Sequence, residues 1–458
     1  MQKNNLKVLW KKVNEKVILI LLFCIFTGYS LFFAVKLKPG IIPDEPAHFL
    51  FSKHYATTLG IPSDVYETFS RGWYIKQNPF LYYWLNGRYI NIIRTFTPGL
   101  SDHQLLISLR IVSTFYNVGT LVFCVFLSNL VIKKKWWRIL PVFLLINTLM
   151  YVFLSGGVNY DNLANLFSMA GIYYLMRVLK KKPFLLNSLA YLTLLGLGCL
   201  VKFTILPLLL AAVITWIFFI IINRTSLGPI KLGGCAGVIL MVLFSAVFMG
   251  NIAIYGVNIV RYQSLTPPCQ EILLESQCEI SPFVIREEAE GLDKKMTIVE
   301  SIQNGYPNPV VYAGHTWFTM MILRTYGMEG HINYNPHDHI NYFRILFYAV
   351  ILLALIHIKK FDFSLYSLIG IFVFYAVVLL IKNYNSELIY SFQHISLQGR
   401  YIFPVIGPAY ILYTAALQKT KNCWLRNAVL FATLSLFFID GPSVILFGYQ
   451  KLFGAWFF

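Results

Sequence analysis

The chain has 458 residues, of which 57% are hydrophobic, 17% aromatic and 13% charged. Soluble globular proteins carry about a quarter charged residues, so this composition excludes a soluble protein and predicts one that lives in lipid. The formal net charge of +18 does not indicate nucleic-acid binding, because no basic stripe is interleaved with base-stacking aromatics on a soluble face. Membrane lipids are the first expected partner.

Apolar runs of roughly 20 residues, the length that crosses about 30 Å of hydrocarbon, recur from end to end. We therefore predict an all-α polytopic membrane protein with about eleven transmembrane helices. The predicted spans are residues 17–37, 108–132, 137–155, 162–179, 184–201, 203–223, 233–255, 342–358, 363–382, 401–418 and 423–440. The first span is too long and too poorly flanked for a cleavable signal peptide, so we expect it to stay as an anchor.

Basic residues concentrate in alternate loops between these spans. If the N-terminus is inside, the inner segments hold 20 Lys and Arg residues against two acids, Glu15 and Asp362. Cytoplasmic loops carry such an excess of Lys and Arg. This pattern predicts a cytoplasmic N-terminus and places the two long loops, 38–107 and 256–341, on the outer side.

The long outer loops suggest where function lies. We divide the chain into a transmembrane module, 1–255, with the first outer loop 38–107, then an extracytoplasmic loop, 256–341, and C-terminal transmembrane helices, 342–458. The short inner loops leave no room for a nucleotide-binding domain, and no Walker or Rossmann glycine pattern occurs. ATP-driven transport and use of a cytosolic nucleotide-sugar are thereby disfavoured.

Two features of the outer loops bear on their structure. Residues 43–55 and 80–96 have helical patterns, and aromatics mixed with Arg88 and Arg94 in the second are typical of helices that lie in the membrane interface. Cys269 and Cys278 share the second long loop, where an oxidising compartment would favour a disulfide. The sequence leaves open whether they form one.

The most informative stretch is Pro43-Asp44-Glu45-Pro46-Ala47-His48, just beyond the first span. Two adjacent carboxylates with a histidine one turn later make a compact acid/base or metal-binding group. Partial desolvation at a membrane surface would make a carboxylate a better base. The alternative is that Asp44 and Glu45 merely cap an interfacial helix, favoured by its N-terminal dipole.

Further polar motifs fall on the same predicted side of the membrane. They are Pro79-Phe80-Leu81-Tyr82-Tyr83, Asn159-Tyr160-Asp161-Asn162-Leu163-Ala164, Lys202-Phe203-Thr204 and Gln398-Gly399-Arg400-Tyr401. Ionisable residues in or near a membrane are costly and mark functional sites. Taken singly, however, Lys202 or Arg400 is more often a snorkelling side chain or an interface anchor.

The order of these motifs resembles the GT-C superfamily of membrane glycosyltransferases. Closest in pattern is a bacterial branch marked by Pro-Asp-Glu-Pro-Ala-His and Gln-Gly-Arg-Tyr, related to protein mannosyltransferases and lipid A aminoarabinose transferases. The resemblance covers most of the first 255 residues and returns near residue 400. It implies a GT-C-like fold in the bacterial plasma (inner) membrane, with an active site that faces the periplasm or exterior.

The resemblance also implies an activity: transfer of a sugar from a polyprenyl-phosphate carrier to a glycan, lipid or protein acceptor, with inversion at the anomeric carbon. Asp44 is then the first choice for the base and Glu45 the second, with His48 assisting. Arg400 and Lys202 would stabilise charge on the lipid phosphate.

Other residues receive supporting roles. Asp161 would orient the sugar, or join Asp44 in holding a divalent cation; one Asp, one Glu and one His do not define a metal site. Tyr82, from the aromatic motif, is expected at the substrate. Trp317 in the second long loop is an acceptor-side candidate, because aromatic platforms suit sugars.

Two other functions remain open. A transporter or flippase of lipid-linked sugars would explain the spans, but such proteins place ionisable groups near the bilayer midplane, often in paired repeats. An O-antigen ligase or polymerase would share lipid-linked substrates, yet needs cations in large outer loops rather than an Asp-Glu pair after the first helix.

Overall fold

The computed structural model describes residues 14–180, 183–223, 234–289, 297–327, 337–390, 394, 397–447 and 454–458. Within these ranges the regular structure is helical, apart from one isolated bridge between Leu37 and Phe457. The α-helices are α1 Glu15–Lys36, α2 Glu45–Tyr55, α3 Tyr66–Phe69, α4 Leu81–Phe96, α5 Asp102–Val131, α6 Ile139–Ile146, α7 Leu149–Ser155, α8 Asp161–Leu179, α9 Phe184–Val201, α10 Leu206–Asn223, α11 Gly234–Asn251, α12 Val257–Tyr262, α13 Cys269–Ile272, α14 Glu275–Cys278, α15 Pro282–Ala289, α16 Ile298–Gln303, α17 Pro309–Val311, α18 Phe318–Tyr326, α19 His337–His357, α20 Phe363–Ile389, α21 Phe403–Lys419, α22 Cys423–Ile439 and α23 Ser443–Phe447.

A polytopic all-α membrane protein is confirmed, and each predicted span coincides with a helix or a helix pair. Among the described residues, eight helices are long and apolar enough to cross a membrane, or nine if α6 and α7, bent by 68°, form one span. Helix α22 has the composition of a span but only 17 residues. Helix α8 is not among the eight candidate spans. The count of eleven is therefore not confirmed.

The helices pack around one hydrophobic core. Helix α8 is the centre of the bundle, because it contacts α5, α9, α10 and α21. Helix α9 packs on α11, and α21 packs on α19 and α20. Apolar side chains also cover the outside of the bundle, notably on α10 and α11, as expected of helices whose surroundings are lipid rather than water.

The first long loop, residues 38–107, folds into the predicted helices. Helices α2 and α4 pack against each other, and a Cβ atom at Gly87 would lie 2.7 Å from the backbone of Tyr55. Only glycine allows so close an approach. The position of these two helices in the membrane interface stays a prediction.

The two long loops, 38–107 and 256–341, contact each other. Cys269 and Cys278 form a disulfide, which settles the question that the sequence left open. The disulfide packs in a small apolar cluster with Phe69, Tyr74 and Val284. Because Phe69 and Tyr74 belong to the first loop, this cluster fixes the two loops to each other. The division of the chain at residues 255 and 341 stays a prediction.

Candidate active site

A cleft of about 700 Å³ opens where the first outer loop meets the ends of several helices. Its lining includes one acid and five cations, namely Asp44, Arg71, Lys202, Arg286, Lys382 and Arg400. The structure thus brings together three predicted site residues that are far apart in sequence. A cleft with this lining carries an excess of positive charge and suits an anionic ligand.

Asp44 stands at the N-cap position of α2 with an unusual backbone. Its φ of 60° lies in the left-handed region, which non-glycine residues rarely adopt and which marks functional sites. Its side chain does not form a capping hydrogen bond. Instead, Oδ2 accepts a hydrogen bond from Nη2 of Arg400, and the side chain is 48% exposed. The side chain of Asp44 thus pairs with Arg400, and its role as base or as helix cap stays a prediction.

Asp161 links two cations of the site, Lys202 and Arg400. Its Oδ1 accepts a hydrogen bond from Nζ of Lys202, and its Oδ2 lies 3.7 Å from Nε of Arg400. The side chain is only 4% exposed, and so it lies behind Lys202 and Arg400. Direct contact of Asp161 with a sugar stays a prediction.

Lys202 is enclosed on several sides. Besides its ion pair with Asp161, its Nζ lies 4.6 Å from the ring centroids of both Tyr160 and Tyr401. The side chain is 2% exposed. Ring faces attract a cation, so the two tyrosines and the carboxylate together hold this ammonium in one position.

The Asn-Tyr-Asp-Asn motif forms the turn that carries Asp161. Asn159 donates through Nδ2 to the carbonyl oxygen of Pro43, at 3.1 Å, and accepts through Oδ1 from the backbone N–H of Asp161, at 2.9 Å. One amide thus fixes the segment before Asp44 to the start of α8. Asn162 closes the same turn by donating to the carbonyls of Leu154 and Gly157.

The Gln-Gly-Arg-Tyr motif positions Arg400. Residues Gly399–Ile402 form a short 3₁₀ helix before α21. A Cβ atom at Gly399 would lie 2.4 Å from the backbone of Arg324, so this close contact requires glycine. Tyr401 covers Lys202, and its carbonyl oxygen accepts from the hydroxyl of Tyr375 at 2.8 Å.

Glu45 lies away from the cleft cations in a buried ion pair. Its carboxylate accepts from Arg110 Nε at 2.8 Å and from the backbone N–H of Val158 at 3.0 Å. Arg110 is fully buried and also donates to the carbonyls of Ala34 and Leu37. This pair fixes the start of α2 to the end of α1. Of the two neighbouring carboxylates, only that of Asp44 lines the cleft; the role of either as a base stays a prediction.

His48 and Tyr82 lie in a buried aromatic layer beneath Asp44. His48 Nδ1 is 2.8 Å from the hydroxyl of Tyr83, and its ring packs against Tyr160 with centroids 4.6 Å apart. Burial lowers the pKa of His48 to about 4, although Asp44 acts in the opposite direction. The side chain is therefore neutral at pH 7. Tyr82 packs edge-on against His48 and is 1% exposed.

Trp317 supports the wall of the cleft. Its indole Nε1 donates to Oδ1 of Asn383 at 3.0 Å, and Asn383 lines the cleft. The predicted stacking of Trp317 on an acceptor sugar stays a prediction.

The predicted metal ligands do not fit a divalent cation. Asp44 is paired with Arg400, and Asp161 with Lys202, so protein cations already balance both carboxylates. In the described part of the chain, no group of three His, Cys, Asp or Glu side chains could hold a metal. We derive no step through a metal.

Several site residues were missed by the sequence reasoning. Tyr160 and Tyr401 belong to the Asn-Tyr-Asp-Asn and Gln-Gly-Arg-Tyr motifs. Their positions next to Asp161 and Arg400 in the sequence indicate that they lie near the site. Arg110, a lone arginine within an apolar span, could have been noticed as an intramembrane charge. Lys382 ends a predicted span, where a snorkelling lysine is ordinary, so nothing in the pattern distinguished it.

The fold and cleft define a polytopic α-helical membrane protein with an acidic group and cations gathered at one site. No protein-family model matches the chain, and no curated protein sequence matches it. Among solved structures, the chain is similar to the archaeal oligosaccharyltransferase AglB from Archaeoglobus fulgidus, in complex with an inhibitory peptide and a dolichol-phosphate. The identity is 12%, the TM-score 0.49, and the match covers 95% of this chain and 56% of AglB.

Two structures of ArnT from Cupriavidus metallidurans are also similar. In the apo state the identity is 11%, the TM-score 0.47, and the match covers 90% of this chain and 62% of ArnT. With bound undecaprenyl phosphate the identity is 12%, the TM-score 0.42, and the match covers 91% of this chain and 62% of ArnT. The chain spans 56 to 62% of the length of AglB and ArnT.

Proposed function

We propose that the protein is an integral membrane glycosyltransferase that moves a sugar from a polyprenyl-phosphate carrier to an acceptor on the extracytoplasmic side, with inversion at the anomeric carbon. The observation that carries this proposal is the meeting of Asp44 with Arg400 and four further cations in one cleft. An acid for proton transfer and cations for a phosphate are the two chemical needs of such a reaction.

In the proposed reaction, the acceptor's hydroxyl oxygen bonds to the anomeric carbon while its proton passes to the carboxylate of Asp44. The bond from that carbon to the phosphate oxygen breaks, and polyprenyl phosphate leaves with the electron pair. Asp44 suits the base because its side chain is 48% exposed in the cleft. Its ion pair with Arg400 keeps the carboxylate oriented.

Arg400 suits the leaving phosphate. Nη2 holds Asp44, while the buried Nη1 and Nε have no hydrogen-bond partner in the part of the chain that the structure describes. A guanidinium can donate to two oxygens at once. One arginine would thus connect the base to the leaving group, and charge on the phosphate would be stabilised as it develops.

A transporter or flippase is the main alternative, but the positions of the charges disfavour it. Asp44 precedes α2, Asp161 begins α8, and Arg400 precedes α21. All three stand at helix ends, whereas transporters gather such groups near the bilayer midplane. An O-antigen ligase or polymerase does not need the Asp44 segment.

The test uses the purified full chain with a panel of defined polyprenyl-phosphate-linked sugars, and measures released polyprenyl phosphate. We expect release by the wild type and a fall of about 10²-fold or more for Asp44→Asn, the usual scale for a lost general base. Binding of polyprenyl phosphate should persist in Asp44→Asn, because the amide keeps the shape of the carboxylate.

The matched control is Glu67→Gln, an exposed carboxylate in the same loop, which should release at the wild-type rate. Normal turnover in Asp44→Asn would exclude the base assignment. Movement of a fluorescent lipid-linked sugar across proteoliposomes without cleavage of its phosphate bond would establish the transport alternative instead.

A further inference from the structure

The cleft contains two lysines with different surroundings. Lys202 and Lys382 both line it, and they flank the same aromatic side chain: Phe203 follows Lys202 directly, and Nζ of Lys382 lies 3.9 Å from the Phe203 ring centroid. Both ammonium groups are therefore positioned near one part of the cleft wall.

The hydrogen-bonding capacity of Lys202 is already used. An ammonium group has three N–H donors. Those of Lys202 face a carboxylate, Asp161, and two ring faces, Tyr160 and Tyr401. The Lys202 side chain is only 2% exposed. A phosphate could therefore reach its Nζ only by displacing Asp161. That would leave a buried carboxylate without its partner, which is strongly unfavourable.

Lys382 differs in every one of these respects. Its side chain is exposed, and it forms neither a hydrogen bond nor an ion pair within the described ranges. Its ammonium group lies over the face of Phe203, a contact that leaves N–H donors available for a ligand. Hydroxyl-bearing side chains, Thr204 and Ser386, line the cleft as well and could donate to a further phosphate oxygen.

We infer that Lys382, and not Lys202, is the lysine that binds the phosphate group of the lipid donor, next to Arg400. Lys202 is instead a positioning residue in the cleft wall, where it holds Asp161, Tyr160 and Tyr401 in place. This inference rests on the proposed function, and it changes the role that the sequence motif gave to Lys202.

Charge balance supports this division of roles. Asp161 balances Lys202, and Asp44 balances Arg400. Within the described ranges, these two pairs leave Lys382 as a cation without a protein counter-ion, and a phosphodiester brings the negative charge that it lacks. A hydrogen bond between two charged groups is about twice as strong as one between neutral groups.

The experiment measures binding of undecaprenyl phosphate to the purified full chain in detergent, with undecaprenol, inorganic phosphate and phosphatidylglycerol as separate probes. We expect Lys382→Gln to raise the Kd for undecaprenyl phosphate by about tenfold or more, the loss of one charge-assisted hydrogen bond. Lys382→Arg should restore most of the affinity, and Kd for undecaprenol should not change.

Arg71→Gln is the matched control, because Arg71 is an exposed cation that lines the same cleft. We expect it to change Kd by less than about threefold. If it weakens binding as much as Lys382→Gln does, the cleft acts through diffuse charge and the assignment is wrong. Equal binding of undecaprenyl phosphate and phosphatidylglycerol would likewise overturn a donor-specific site.

The role of Lys202 is tested with Lys202→Met/Asp161→Asn, which removes both charges of the buried pair and so avoids an unpaired carboxylate. We expect this variant to bind undecaprenyl phosphate within about threefold of the wild type. Loss of binding there, with normal binding in Lys382→Gln, would return the phosphate role to Lys202. If the wild type itself does not bind undecaprenyl phosphate, the proposed function fails together with this inference.

Discussion

His48 is buried next to the candidate base, and burial determines its protonation state. Its pKa is lowered to about 4 from an ordinary value of 6.5. Between these two values the unfolded chain binds more protons than the folded protein does. The folded state should therefore lose stability as the pH falls from about 6.5 to about 4, by about 3 kcal/mol in total.

Thermal unfolding of the protein in detergent, followed from pH 7 to pH 4.5, checks this prediction. His48→Gln should show a smaller fall in Tm over that range than the wild type, since glutamine does not titrate. The comparison isolates the contribution of His48, because the wild type and the variant share all other titratable groups. Parallel curves for the two proteins would contradict the lowered pKa.

At the scale of elements, the pair Glu45–Arg110 connects α1, α2 and α5. Removal of one charge leaves the other buried, which costs about 3–5 kcal/mol. Glu45→Gln should therefore lower Tm and the yield of folded protein, and Arg110→Gln should do the same. The double variant Glu45→Gln/Arg110→Gln should lose less free energy of unfolding than the sum of the two single losses, because it buries no unpaired charge.

The same variants separate a structural role from a catalytic one. If Glu45 supports α2, the folded fraction of Glu45→Gln should keep turnover close to that of the wild type. A variant as stable as the wild type but without transferase activity would instead make Glu45 the base, one residue from our assignment. Tm and the rate of polyprenyl phosphate release, measured on the same preparation, distinguish the two results.

At the scale of the whole molecule, the basic inner loops predict that the cleft faces outward. In a background without the five free cysteines, single cysteines at Lys76 and Lys359 should differ in labelling. Both side chains are exposed. We expect a membrane-impermeant maleimide to label the Lys76→Cys variant in intact cells and the Lys359→Cys variant only after the membrane is opened.

Labelling of the Lys359 position in intact cells would reverse the orientation and place the cleft on the cytoplasmic side. The extracytoplasmic acceptor would then be excluded. The architecture of the cleft would be unaffected, because its contacts do not depend on which side of the membrane it faces.

Much of the fold could be predicted because lipid imposes a length and a composition on each span. Every predicted span has a helical counterpart, including residues 137–155, where the structure contains a pair bent by 68°. The bend itself was not predictable, since the run from 137 to 155 is apolar throughout and periodicity does not report a change of direction. The helices at 43–55 and 80–96 were also predicted, and they form.

Several residues of the candidate site could be predicted from the sequence, but the contacts between them could not. Asp44, Lys202 and Arg400 were identified by charge at the ends of spans, and they do line one cleft. Their pairing was not visible in the sequence, because Asp44 and Arg400 meet across 356 positions. Glu45 adjoins Asp44 in sequence yet faces Arg110, since consecutive side chains at a helix start point in different directions.

The sequence by itself determined that the chain is a helical membrane protein, because apolar length and the distribution of Lys and Arg follow from the cost of placing polar groups in lipid. The sequence also indicates which ionisable residues are candidates for a functional role. Only the tertiary structure decided which of them remain open to a ligand. Lys202 lies enclosed by Asp161 and two tyrosine rings, while Lys382 is exposed. Packing of distant segments sets that difference, and no local pattern encodes it.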